Sequence, residues 1–169
     1  MTANAQRRPR RSISVQEYSS AQLGTYLVTA ATYQRECLFG EVEEGRMHFN
    51  RLGLIVRRTW LDLTRHYPHV ILDAFCVMPN LFQGVIALID ESNAQGLSEI
   101  VRTFKSISTR QINTFRDSPG ISVWQRNYYK RAVSLQPELE RIRESIERKP
   151  LSWRPDREDL LKNLTGEKH

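Results

Sequence analysis

Hydrophobic residues recur along this chain with two alternating periods, and the switches between them predict its elements. Residues 25–34, TYLVTAATYQ, are rich in β-branched and aromatic side chains and read as a central strand. Residues 39–47, FGEVEEGRM, are polar and punctuated by glycine, and read as a loop. From Asn50 the period lengthens: Leu52, Ile55, Val56, Trp60 and Leu63 recur at helical spacing, opposite Arg51, Arg57, Arg58, Asp62 and Arg65. Asn50 is suited to cap that helix, and Tyr67-Pro68 ends it. HVILDAFCVM (69–78) and LFQGVIALI (81–89) are two strands joined at Pro79-Asn80, a connection short enough to make them antiparallel neighbours.

A second helix is expected from Leu97 to Phe115, with Leu97, Ile100, Val101 and Phe104 inward and Arg102, Lys105 and Arg110 outward. DSPG (117–120) breaks it, and residues 123–134 read as a short strand or extended segment. Pro137 is placed to open a third helix through about Arg148, with Pro150 stopping it. The succession strand, helix, strand, strand, helix, strand and a further helix predicts an α+β fold. It is a ferredoxin-like antiparallel sheet of the split βαβ kind, with helices packed on one face and an extra C-terminal helix. The expected division is a flexible basic arm over 1–20, one domain over 21–150 and a C-terminal tail over 151–169. This fold hosts many unrelated functions, so it leaves activity open.

Charge sharpens the picture. The 169-residue chain is 40% hydrophobic, enough for one core, and carries a formal net charge of +6. Four of those charges, Arg7, Arg8, Arg10 and Arg11, sit in RRPRRS before the first acid, Glu17. A short arginine-rich arm of this kind suits a polyanionic partner, and equally suits a solubilising tail. Cys37 and Cys76 form no C-x-x-C pair, and His48, His66, His69 and His169 form no ligand pattern, so neither a disulfide framework nor a metal site is indicated. No stretch reaches the length of a membrane span, and no apolar run follows the basic arm, so a cytoplasmic, nucleoid-associated setting is expected.

Several separated segments then point one way. RRSISVQEYSSAQLGTYLVTAATYQRECLFGEV, YPHVILDAFCVMPN, TFKSISTRQIN, VWQRNYY and ELERIRESIERKPLSW together resemble the REP-associated tyrosine transposases. These are a bacterial branch of the single-tyrosine HUH transposases of insertion sequences. The resemblance runs from about residue 10 to 160. It implies a domain that acts on single-stranded or hairpin DNA of the repetitive extragenic palindromic type. In that family two histidines at i and i+2 of a strand share a divalent cation, Mg or Mn, because alternate side chains leave one face. A third ligand comes from the last helix. A tyrosine one turn before it attacks the scissile phosphate and forms a covalent link to DNA.

The family pattern M-P-N-H-x-H here reads MPNLFQ, so the resemblance puts Leu81 and Gln83 at the histidine positions. Its Y-I-x-x-N-P reads SIERKP, which puts Ser145 at the nucleophile and Lys149 at the third ligand. Leucine ligates nothing, a lone amide is a poor substitute for paired imidazoles, and a serine hydroxyl is far less acidic than a phenol. The resulting expectation is a catalytically inactive, transposase-derived DNA-binding protein with no cofactor. Its DNA contacts would come from Arg7, Arg8, Arg10, Arg11, Arg102, Lys105, Arg110, Trp124, Arg126, Tyr128, Lys130 and Arg131. Trp124, Tyr128 and Tyr129 would stack unpaired bases.

Two alternatives stand beside it. One is an active transposase or nuclease using Tyr128 or Tyr129 as a displaced nucleophile. The other is a protein-interaction module whose DNA cleft has closed. Insertion-sequence transposases commonly act as dimers, and self-association is left open.

Overall fold

In the computed structural model, residues 23–90 and 95–154 are described. The arm with Arg7, Arg8, Arg10 and Arg11, and most of the 151–169 tail including His169, lie outside the described residues. The elements run β1 (Gly24–Ala31), β2 (Gly40–Glu43), β3 (Arg46–Phe49), α1 (Arg51–His66), β4 (Val70–Met78), β5 (Leu81–Leu88), α2 (Leu97–Phe115), β6 (Tyr129–Val133) and α3 (Gln136–Ser152). The main sheet has the order β4-β5-β1-β6, with every neighbouring pair antiparallel. β5 thus separates β1 from β4, the split βαβ arrangement expected from the sequence.

Alternation along the strands divides the interior in two. Val28 and Ala30 of β1, Val77 of β4 and Phe82 and Ile86 of β5 pack with Val56, Trp60 and Leu63 of α1 and Ile100, Val101 and Phe104 of α2. On the opposite face Leu27, Val85, Ala87 and Val133 pack with Leu139, Ile142 and Ile146 of α3. The extra C-terminal helix therefore covers the sheet face that α1 and α2 leave bare. It is fixed there by Arg143, whose Nε and Nη2 donate to the two carboxylate oxygens of Asp73 on β4, both at 2.8 Å. The hydrogen bond to Asp73 is the main reason the Arg143 guanidinium is held above its ordinary pKa.

The Asp73 side chain is 8% exposed and that of Arg143 26%, so Asp73→Ala would strip a partly solvated guanidinium of its two-pronged acceptor. We expect it to cost about 2 kcal/mol, read as a lower urea midpoint. Asp73→Asn, which keeps one acceptor, should cost less.

Local sequence accounts for the helix boundaries. Asn50 Oδ1 accepts from the Gly53 amide at 3.0 Å, capping α1, while its Nδ2 donates to the Leu38 carbonyl at 2.7 Å. Gly53 is required by closeness: a Cβ there would lie 2.2 Å from the Phe39 carbonyl oxygen. Two expectations are corrected. Residues 39–47 are largely the β2–β3 hairpin, turned by Glu44 and Gly45 with φ of 50° and 71°. Its strands are half-exposed, so no apolar alternation marks them. Pro150 does not stop α3, which continues to Ser152. Proline there removes one backbone donor close to the helix end, and Leu151 lies against the β2–β3 turn, where a Cβ on Gly45 would meet its Cδ2 at 2.6 Å.

Candidate functional site

The four positions that the family resemblance assigns to catalysis converge on one side of the sheet. Leu81 and Gln83 open β5 and share the face of Val85 and Ala87, beneath α3. Ser145 and Lys149 are one turn apart on α3. The Lys149 ammonium donates to Gln83 Oε1 at 2.9 Å, and Gln83 Nε2 donates to Thr29 Oγ1 of β1 at 3.1 Å. A hydrogen-bonded chain thus runs from α3 through β5 to β1. Beside it opens a cavity of about 560 Å³ lined by Gln83, Ser145, Arg131, Arg141, Glu138 and the apolar Leu135, among others. Arg131 pairs with Glu138 at 3.5 Å. Cys76 sits opposite Gln83 on β4, and burial pushes its thiol up to about 11, with the nearby Lys149 charge opposing the rise.

Sheet register separates the two adjacent tyrosines. Cys76, Gln83, Thr29 and Tyr129 form one row across the four strands, so Tyr129 faces the α3 side. The residue is 68% exposed. Tyr128 belongs to the other side, where its hydroxyl lies 3.2 Å from Ser98 Oγ of α2. Two strand spacings, roughly 10 Å, separate the Tyr129 and Gln83 backbones.

A second, larger concavity of about 990 Å³ lies between α2 and residues 117–128. Arg102, Lys105, Arg110, Arg126, Trp124 and Tyr128 all line it, so six residues singled out from the sequence meet in one groove. Their roles differ. Arg102, Arg110 and Arg126 are exposed. Lys105 is committed to the fold, its ammonium donating to the carbonyls of Gln125 at 2.6 Å and Arg126 at 3.1 Å, and burial lowers its pKa. Trp124 is only 6% exposed. Its Nε1 donates to Ser108 Oγ at 3.0 Å and its ring packs on Phe39 and Phe104. The expectation that Trp124 stacks an unpaired base is therefore corrected: a ring held in the core has no open face. Lys130 and Arg131 are exposed on β6, and alternation puts them on opposite faces of the sheet.

Thr29, Arg141 and the Asp73–Arg143 pair were not singled out from the sequence. Asp73 did carry a signal, a carboxylate inside the apolar run VILDAF that must find a partner once buried. His69 is buried, with Nε2 3.0 Å from the Gln95 carbonyl, and no group of three His, Cys, Asp or Glu among the described residues is arranged to hold a metal ion. No helix of the described residues is long and apolar enough to cross a membrane.

Known structures match this architecture. A REP-associated tyrosine transposase solved in complex with a REP hairpin superposes with a TM-score of 0.59 at 16% identity, over 82% of this chain and 73% of that one. A transposase-like protein of Deinococcus radiodurans superposes with a TM-score of 0.51 at 15% identity, over 78% of this chain and 95% of that one. The fold is that of the REP-associated tyrosine transposases. No protein-family model matches the chain. By sequence it is 30% identical over 166 residues to an uncharacterized protein of Haemophilus influenzae, across 87% of this chain and 91% of that one, and it belongs to one family with that protein.

Proposed function

We propose that this protein binds single-stranded or hairpin DNA and does not cleave it, a transposase descendant that has kept recognition and lost chemistry. The observation that carries the proposal is the hydrogen bond from Lys149 to Gln83. At the positions the family uses for a divalent cation, Leu81 offers no donor atom, Gln83 already commits its oxygen to Lys149, and the ammonium itself would repel a dication. The residues do not fit a metal. The carboxylate that shares the cavity with Ser145, Glu138, is paired with Arg131, and a serine hydroxyl is far less acidic than a phenol.

Support for DNA as the partner comes from two directions. The structural neighbour at 16% identity was solved on a REP hairpin. In this chain, the exposed Arg102, Arg110 and Arg126 line one groove of about 990 Å³, where they can meet phosphates.

A second reading is favoured by one feature, the exposed Tyr129 on the same face and row as Gln83. In that reading Tyr129 is a displaced nucleophile. The test of the leading reading is fluorescence anisotropy with a labelled hairpin, a matched duplex and an unstructured strand across a salt series. We expect the hairpin or the unstructured strand to bind more tightly than duplex, with affinity falling steeply as salt rises. Equal or absent binding of all three at low salt would defeat it.

A further inference from the structure

The cavity beneath α3 is lined by two arginines, Arg131 and Arg141, against one carboxylate, Glu138, and Lys149 stands at its Gln83 wall. Lys149 has three ammonium protons and one hydrogen-bond acceptor, Gln83, among the described residues. Lys149 reaches the cavity through its partner Gln83, which lines it together with Arg141 and Ser145, and the one carboxylate there, Glu138, is already met by Arg131. Cys76, the titratable neighbour on the sheet side, stays a neutral thiol at ordinary pH because burial raises its pKa. The apolar wall of Leu27, Leu135, Pro137 and Ile142 faces these polar groups. On the sheet beside it, two residues before Arg131 on the same face of β6, stands the open ring of Tyr129.

We infer that this cavity is a metal-free nucleotide pocket. Lys149, Ser145 and Arg141 receive one phosphate of a single strand, and the Tyr129 ring stacks the adjoining base. The ammonium takes over the charge that a divalent cation would supply, but it cannot polarise a phosphate for attack as a Lewis acid does. The phosphate is bound and left intact. Charge-assisted hydrogen bonds supply the anion affinity, and stacking on an aromatic ring is sequence-tolerant and selects unpaired bases. The cavity of about 560 Å³ is of a size for one nucleotide. This inference rests on the DNA-binding reading and extends it from the α2 groove to a second contact on the opposite face of the sheet.

The test uses the full chain, isotopically labelled for amide NMR, with EDTA present throughout. The probes are thymidine 5′-monophosphate and thymidine. We expect the monophosphate to shift the Gln83 side-chain amide and the amides of Ser145 and Tyr129 saturably, with thymidine weaker by at least about 100-fold, since it loses every charge-assisted bond to the phosphate. Lys149→Gln should weaken the monophosphate about tenfold, and Lys149→Arg should restore most of it. Tyr129→Phe should retain binding, because a phenyl ring stacks as well, whereas Tyr129→Ala should lose it. Arg102→Glu with Arg110→Glu should leave these shifts unchanged. Shifts confined to the α2 groove, a requirement for Mg, or indifference to Lys149→Gln would overturn the pocket. If hairpin DNA still binds in that case, the pocket alone has failed. If neither hairpin nor nucleotide binds, the DNA reading has failed with it.

Discussion

Arg102→Glu combined with Arg110→Glu should lower hairpin affinity by about 100-fold at low salt and reduce the salt slope by about 2, one unit for each phosphate no longer neutralised. Both side chains are exposed on α2 and line the groove closed on its other side by residues 117–128. Neither makes an ion pair among the described residues, so the fold should tolerate the change within about 0.5 kcal/mol. Reversal is chosen over truncation because it opposes the phosphate as well as withdrawing the attraction. The weakening should be similar for hairpins of different sequence, since phosphate contacts position a strand without reading it. Anisotropy at several salt concentrations measures both numbers. An unchanged slope would mean that DNA follows some other path across the surface.

Trp60→Ala should be the most damaging single truncation in the sheet–helix core, at about 4 kcal/mol. For a chain of this length that corresponds to roughly 8–16 °C in melting temperature. Trp60 is fully buried and lies between α1, β5 and α2, with its ring centroid 4.5 Å from Phe82 and 5.2 Å from Phe104. Packing there is tight enough that a Cβ on Gly84 would come within 2.8 Å of both Trp60 and Phe82. The surroundings cannot close over a missing indole without moving the sheet. Trp60→Phe makes an instructive contrast, because the buried Nε1 has no hydrogen-bond partner among the described residues. Removing that donor offsets part of the reduced packing, so the phenylalanine variant should fall well short of the alanine cost. Calorimetry of the two side by side checks this order.

Where an element carries its own period and its own cap, the sequence is a reliable guide. Asn50 starts α1 and Tyr67 follows its end, and α2 occupies the expected Leu97–Phe115 because nothing non-local competes with that pattern. The same holds for β4 and β5, whose apolar runs are long and whose joint is Pro79-Asn80. The hairpin at 40–49 escapes because half-exposed strands have no buried face to betray them. Pro150 misleads because its local cost is small near a helix end, where the one backbone donor it removes matters least.

At the candidate site the limits are different. Motif positions bring Leu81, Gln83, Ser145 and Lys149 forward, but no sequence pattern says that Lys149 reaches Gln83, since 66 residues separate them. Tyr128 and Tyr129 look equivalent as neighbours, and only pairing with β1 assigns them to opposite faces. Trp124 and Lys105 look like surface DNA contacts, because a tryptophan among arginines and a lysine on an outward helix face invite that reading. Their hydrogen bonds to Ser108 and to the Gln125 and Arg126 carbonyls turn them to structural use.

The central claim is that this transposase fold holds DNA without cutting it. Its most direct test incubates the full chain with a labelled single-stranded hairpin in Mg or Mn at concentrations where anisotropy shows the DNA bound, then separates the products under denaturing conditions. Intact DNA and no label travelling with the protein are expected. A metal-dependent nick or a covalent adduct, above all one abolished in Tyr129→Phe, would contradict it and make Tyr129 the nucleophile of a working enzyme.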